Sequence, residues 1–237
     1  MKFSLVIPCY NEAKNLPALV KRCEKLTAAR KDIEIILVNN GSKDESEQVL
    51  SELLKDKPQI RTVKVEVNQG YGFGIVSGLR AAQGEILGWT HADMQTDPND
   101  ALTGLKFFLE AQDPNKIFVK GKRYGRKIAD VFFTIGMSAF ETLLMMKPMW
   151  DINAQPTMFT KKFFDTWFES PHDFSLDLFA YYMAKDAGLE VKRFPVLFAN
   201  RLHGLSHWNI DWRSKVKFIK RTVDYSLELK KKIDSGE

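Results

Sequence analysis

Apolar and polar positions switch between two periods along the first half of the chain. Phe3–Cys9 is an apolar run of strand length, and Ile33–Val38 is a second, rich in Ile and Val. Thr62–Val67 alternates with the period of two of a half-covered strand, and Glu85–Thr90 predicts a further one. Between these runs the period lengthens. Leu16, Leu19, Val20, Cys23 and Leu26 recur at helical spacing within Asn15–Ala28. Ser42–Leu54 reads as a helix with Ser42 as N-cap and Glu45 as its capping-box partner, and Gly70–Ala82 as a helix opened by glycine. Strand and helix in strict alternation predict an α/β fold with a mostly parallel central sheet covered by helices on both faces.

The second half is less regular. Asp100–Ala111 reads as a helix and Lys116–Lys120 as a strand. Ile128–Met146 is strongly apolar but holds Asp130 and Glu141. Phe163–Trp167 and Phe174–Ala187 are predicted helices, and Val191–Phe198 a strand. From Trp212 onward, Trp212, Val216, Ile219, Val223 and Leu227 follow one another at three-to-four spacing with lysines between them. The chain therefore divides into one large domain, residues 1–211, and a basic amphipathic C-terminal helix, residues 212–237.

Composition narrows the classes. With 237 residues, 44% hydrophobic and 27% charged, the chain can bury a core without staples, which excludes disordered and disulfide-scaffold classes. Cys9 and Cys23 are too few for a disulfide framework; Cys9 lies in a strand run and is expected as a buried free thiol in a reducing compartment. No run reaches about 18 uninterrupted apolar residues, so no membrane span is predicted. The opening residues are too soon broken by Pro8 to form a secretory signal. A cytoplasmic location is expected. The net charge is +5, yet residues 212–232 hold eight Lys/Arg against two acids, so the basicity belongs to the tail. That argues against nucleic acid as a partner; the amphipathic tail either lies on an anionic membrane surface or packs on the core with a solvated outer face.

A parallel sheet binds ligands beyond the carboxyl ends of its strands. Four polar or Gly-rich segments fall there: Pro8–Glu12, Asn39–Asp44, Asn68–Gly74 and His91–Pro98. In the last of them, alternation in an extended chain would set His91, Asp93 and Gln95 on one side, a donor set suited to a hard divalent cation that shares its ligands with phosphates. A polar turn closed by Asp97-Pro98 is the plainer alternative. Asn39 and Asn40 before Gly41 can read a ribose or base edge, or simply form a turn. Asn68–Gly74 has the spacing G-x-G-x-G after the third strand, which disfavours a dinucleotide fingerprint. Arg201 supplies a guanidinium able to clamp a diphosphate, with His203 and His207 close behind read as hydrogen-bonded structural residues; Lys122-Arg123-Tyr124 is a second basic candidate or a solvated charge cluster. No nucleophile elbow, H-E-x-x-H or paired C-x-x-C occurs.

Taken together, these segments resemble the family 2 glycosyltransferases, in particular the branch that includes dolichyl-phosphate mannosyltransferase. Val6-Ile7-Pro8-Cys9-Tyr10-Asn11-Glu12 is similar to that family's opening strand and nucleotide loop, and Val38-Asn39-Asn40-Gly41-Ser42 to its V-D-D-G-S segment. Asn68–Gly84 resembles its N-x-G…G…A-x-G helix, His91-Ala92-Asp93-Met94-Gln95 its D-A-D-x-Q motif, and Arg201-x-x-Gly204-x-Ser206 its late phosphate-binding loop. The resemblance implies a GT-A fold and inverting transfer from a UDP- or GDP-sugar. With the basic tail on a membrane, a polyprenyl phosphate or lipid-linked saccharide would be in reach as acceptor, in cell-envelope or glycan synthesis. The resemblance implies Mg2+ or Mn2+ at Asp93, Gln95 and His91, and a donor site of Pro8, Tyr10, Glu12, Asn39, Asn40, Gly70, Arg123, Arg201 and Ser206. Asp93 and Arg201 would act in catalysis. Asp173 and Asp177 lie where relatives carry an acid, Asp177 matching better as the base, which is needed only if the acceptor is a hydroxyl. Three departures stand out: His91 replaces the first acid of D-A-D, and Asn39 and Asn40 replace both acids of V-D-D. They leave a catalytically impaired nucleotide-sugar-binding subunit as an alternative. A nucleotidyltransferase is another, but its Gly-rich lysine loop is missing after the first strand.

Overall fold

The structure, a computed structural model, describes residues 2–167, 169–201 and 212–235. It is an α/β fold built on one seven-stranded sheet. The strands are β1 (Phe3–Cys9), β2 (Ile33–Asn40), β3 (Ile60–Val65), β4 (Ile86–Trp89), β5 (Ile117–Tyr124), β6 (Thr157–Thr160) and β7 (Glu190–Leu197). Their order across the sheet is β3-β2-β1-β4-β6-β5-β7. β1 pairs in parallel with β2 and β4, β2 with β3, and β5 with β7. β6 runs antiparallel to both β4 and β5. The carboxyl ends of the other six strands therefore lie along one edge.

The helices are α1 (Leu16–Ala29), α2 (Ser46–Leu53), α3 (Tyr71–Ala81), α4 (Asp100–Leu109), α5 (Ile128–Met145), α6 (Lys161–Phe164), α7 (Leu176–Asp186) and α8 (Trp212–Ser235). The pleat sorts the core into two layers. Phe3, Leu5, Ile7 and Cys9 of β1 pack toward Leu16, Leu19 and Cys23 of α1 and Leu105 and Phe108 of α4. Val6 points the other way, with Ile75 and Leu79 of α3 and Phe179 of α7. Such two-sided burial is what the unbroken apolar run of β1 predicts. Cys9 and Cys23 are buried free thiols, as expected.

Several local expectations need correction. Ser42 does not cap α2, which begins at Ser46; its hydroxyl instead accepts from the Asn11 N–H at 3.1 Å. The predicted helix at Phe163–Trp167 is a single turn, α6, capped by the Thr160 hydroxyl accepting from the Phe163 N–H. β6 has no counterpart in the sequence pattern, because Thr157–Thr160 is only four residues long. α5 is long and apolar enough to cross a membrane by length and composition, which strict counting of uninterrupted apolar residues hid behind Asp130 and Glu141.

α8 packs against α5 and shares a buried polar contact with it. The Ser226 hydroxyl donates to Glu141 Oε1 at 2.6 Å, while Glu141 Oε2 has no hydrogen-bond partner. Glu141 is fully buried, and burial pushes its carboxyl up to about 7, against a smaller pull downward from Ser226. Below pH about 4.5 the group is protonated in the folded and unfolded chain alike, so it has no effect on stability. As pH rises through 4.5 toward 7, the unfolded chain ionises freely and the fold resists, so stability falls across that window. Glu141→Gln should therefore flatten the decline of Tm between pH 5 and pH 8. Parallel Tm profiles for the two proteins would show that this carboxyl is solvated in the fold.

Candidate functional site

The loops after β1 and β2 are tied into one floor. Asn11 adopts φ +55, held by its N–H to Ser42 Oγ and by its Oδ1, which accepts from the Lys43 N–H at 2.8 Å. The Glu12 N–H donates to Ser46 Oγ and the Ala13 N–H to Asp44 Oδ2, each at 3.1 Å. Asn39 Oδ1 accepts from the Ser42 N–H at 3.1 Å and closes the turn. Asn40 Nδ2 donates to the Gly70 carbonyl at 2.9 Å, leaving its buried Oδ1 without a partner. A carboxylate at 39 would accept the same N–H, but one at 40 could not copy the second bond: an ionised acid has no N–H to give Gly70. Both amides thus brace the floor, and Tyr10 is the large apolar side chain exposed on it. Pro8, at the end of β1, is half-buried.

Gly70 sits at φ +112, where a Cβ would come within 2.3 Å of the His172 carbonyl oxygen. Only glycine lets the start of α3 approach the 169–173 segment this closely.

The second cluster joins β4 to β7. After Trp89 the chain turns rather than staying extended, so alternation does not hold. Met94 takes φ +64, and Asp93 Oδ1 accepts from the Gln95 N–H at 3.1 Å. The Ala199 N–H donates to the Gln95 carbonyl at 2.8 Å, and Gln95 Nε2 donates to the Ala199 carbonyl at 3.1 Å. This stitch delivers Arg201, whose Nη2 lies 2.9 Å from Asp93 Oδ2 and whose Nε donates to Gln95 Oε1 at 3.2 Å. Asp93, Gln95 and Arg201 therefore do meet, across more than a hundred residues of chain. Glu12 shares their field: burial raises its carboxyl, with Asp93 adding to the rise and Arg201 and an Asn15 hydrogen bond opposing it.

His91 goes elsewhere. Its ring stacks on Tyr71 at 5.6 Å, and the other stacking partner of Tyr71 is Phe174 at 4.5 Å. Gln155 Nε2 donates to Asp177 Oδ1 at 2.7 Å and lies 3.3 Å from the Tyr71 hydroxyl. Behind Asp177 lies Lys120, fully buried, with Nζ 3.9 Å from Asp177 Oδ1 and donating to Thr157 Oγ1 at 2.7 Å. Burial lowers the Lys120 ammonium to about 7, with Asp177 pulling it back upward. Burial raises Asp177, opposed by Lys120 and His91. Asp177 is 1% exposed, which favours a positioning role behind Tyr71 over direct contact with an acceptor. Asp173, half-buried, pairs with Arg221 of α8 at 3.1 Å.

Arg123 is engaged by Asp151: its N–H donates to Asp151 Oδ2 at 3.1 Å, and both Nε and Nη2 contact Oδ1. Arg126 adds a third cationic contact at 3.7 Å. The structure thus places Arg123 in a buried ion-pair cluster with Asp151, its guanidinium against Phe198. Ser206, His203 and His207 lie outside the described residues. Sequence reading gave no role to Lys120 or Tyr71. A lysine closing the apolar run Ile117-Phe118-Val119 was the available signal for Lys120.

Comparisons with known proteins bear on this arrangement. Residues 4–181 match the model of glycosyl transferase family 2. The undecaprenyl-phosphate 4-deoxy-4-formamido-L-arabinose transferase of Enterobacter sp. (strain 638) is 39% identical over 105 residues, 42% of this chain and 31% of that protein. The enzyme of that name from Pectobacterium carotovorum is 39% identical over 115 residues, 46% of this chain and 34% of that protein. The match spans only about a third of these relatives. Among solved structures, glucosyl-3-phosphoglycerate synthase from Mycobacterium tuberculosis, in complex with Mn2+, UDP and glucosyl-3-phosphoglycerate, superposes with TM-score 0.71 at 15% identity, covering 97% of this chain and 79% of that one. A mannosyltransferase from Pyrobaculum calidifontis, in complex with GDP-mannose and Mn2+, gives 0.64 at 18%, covering 86% and 58%. At such identities the likeness establishes the fold, which is of the GT-A type.

Proposed function

Because this chain belongs to glycosyl transferase family 2, we propose that it is an inverting glycosyltransferase. It moves a sugar from a UDP- or GDP-sugar to a lipid phosphate of the polyprenyl class, at the cytoplasmic face of a membrane. The observation that carries this reading is the convergence of Asp93, Gln95 and Arg201 at the carboxyl edge of the sheet. The names of the curated relatives support the lipid-phosphate acceptor, and the nucleotides held by the fold neighbours support the donor.

Inversion is a single displacement. An acceptor oxygen bonds to the anomeric carbon as the bond to the nucleoside diphosphate breaks, and the developing charge falls on the diphosphate. Arg201 is placed to meet that charge with paired N–H donors. A phosphate acceptor is already anionic, so the reaction needs no base and the burial of Asp177 is no obstacle. The nucleoside would lie over the Pro8–Glu12 floor beside Tyr10, with Asn39, Asn40 and Gly70 shaping it. Arg123 would brace the end of β5 from its pair with Asp151.

The donor set suits a divalent cation held jointly with the diphosphate. Asp93 brings one carboxylate and Gln95 one amide oxygen, and both are now engaged by Arg201. Among the described residues no three His, Cys, Asp or Glu side chains gather for a metal. Mg2+ or Mn2+ binds readily through one or two protein oxygens when phosphates complete its shell; the cation would supply charge neutralisation of the leaving group. Mn2+ alone should therefore bind weakly, and UDP or GDP should tighten it by about tenfold or more. Titration of free Mn2+ by electron paramagnetic resonance checks this. Equal affinity with and without nucleotide would show a preformed site instead.

The function itself is tested by release of nucleoside diphosphate from a panel of UDP- and GDP-sugars, with undecaprenyl phosphate in detergent as acceptor. Acceptor-dependent release from one donor is expected. Tight binding of a nucleotide sugar with no transfer to any lipid phosphate would favour a donor-binding subunit.

A further inference from the structure

α5 presents an outer face with no charge on it. Ile128 (75% exposed), Phe132 (69%), Leu143 (76%) and Met146 (80%) follow one another along it, with Val131 and Ile135 between them. Gly136, on the same face, would meet nothing within 4 Å if it carried a Cβ. The stripe runs the whole helix, about 27 Å at the standard rise. A contiguous apolar face of that length on a surface helix marks an interaction site.

Three observations identify the occupant. The inner face of α5 is fastened to the protein: Ser138 Oγ accepts from the Asp151 N–H, Thr142 Oγ1 from the Met149 N–H, and Glu141 from Ser226 of α8. A helix so tied cannot leave to span a bilayer, but it can lie in the plane of one. Cationic side chains flank the stripe, with exposed Lys122 and Lys127 before it and exposed Lys220 and Lys231 on the adjoining α8. Exposed Tyr124 and Trp150 stand at its two ends, residue types that favour the membrane–water boundary. An apolar stripe with basic flanks and aromatic ends matches an anionic bilayer rather than a second copy of this basic chain.

We propose that the outer face of α5 is an element that inserts into an anionic membrane surface. α8 buries Ser226 and Leu229 against the protein, while Val216 and Leu227 of its apolar stripe are exposed. α8 supplies charge beside α5. α5 begins just beyond the carboxyl end of β5, at the sheet edge that also carries Asp93 and Arg201. The proposal gives the lipid-phosphate reading its membrane contact and rests on that reading for its purpose.

The test is flotation of the full chain with vesicles of phosphatidylethanolamine and phosphatidylglycerol, and with neutral phosphatidylcholine vesicles. Wild type should float with the anionic vesicles and far less with the neutral ones. Phe132→Asp with Ile135→Asp should lower partition at least about tenfold, with Leu143→Asp as a second, single variant should the pair fold poorly. Both should keep wild-type turnover on a short, water-soluble prenyl phosphate. Undiminished flotation of the variants would overturn the proposal. So would a wild-type dimer that the variants convert to monomer without losing flotation, which would make the face a protein interface. Failure of wild type to float at all would also overturn it, while turnover on the soluble acceptor reports separately on the lipid-phosphate reading.

Discussion

Asp93→Ala should abolish glycosyl transfer, by about a hundredfold to a thousandfold or more in kcat, while leaving the fold intact. Asp93 is the one carboxylate on the 91–97 turn that contacts Arg201, and it is 7% exposed. The fold should survive because Arg201 keeps about a quarter of its side chain in solvent and can hydrate once its partner is gone. Asp93→Asn separates two roles of this side chain. It keeps an oxygen for the Gln95 N–H, and so the turn, but removes the charge. If the charge serves a cation and diphosphate, the asparagine variant should be nearly as inactive as the alanine one, with an unchanged circular dichroism spectrum. Wild-type turnover in Asp93→Asn would remove Asp93 from the chemistry and leave it a turn residue.

The second large effect concerns stability. Asp151→Ala should destabilise the protein by about 3–5 kcal/mol, because it strands two guanidinium groups in a nearly dry environment. The side chains of Arg123, Arg126 and Asp151 are 10%, 8% and 4% exposed. At this chain length the loss corresponds to a drop in Tm of roughly 10 °C. Burial alone would raise the Asp151 carboxyl, but Arg123, by charge and by hydrogen bonds, and then Arg126 hold it below its usual range. Its contribution is therefore present at neutral pH and lost as pH falls through that depressed value. Replacing Asp151 and Arg123 together by apolar residues of similar volume should recover part of the loss. A Tm for Asp151→Ala within a degree or two of wild type would mean that the cluster is solvated.

The first half of the fold was legible because its elements are long and each period is clean. β1 shows every other residue to a different helical layer, and both layers are apolar. The β6 strand was not, because Thr157–Thr160 has too few residues to express a period and its antiparallel direction is set by neighbours far away in sequence. The encounter of Asp93, Gln95 and Arg201 could be anticipated because the three lie just beyond apolar strands. His91 could not be placed, since alternation assumes an extended chain and Met94 at positive φ breaks it. The Lys120, Asp177, Gln155 and Tyr71 network joins residues up to 106 positions apart through strand order alone. Arg123 had the right residue type for phosphate; only the structure reveals that Asp151 already holds it.

The central claim is that a nucleoside diphosphate sits where Asp93, Gln95 and Arg201 converge. Calorimetric titration of UDP and GDP in the presence of Mn2+, on wild type and on Arg201→Ala, tests it most directly. Saturable binding of one nucleotide by wild type, weakened at least about tenfold in the variant, is the predicted result for a lost charge-assisted contact. Equal affinity in the two proteins, or no binding of either nucleotide by wild type, would contradict it.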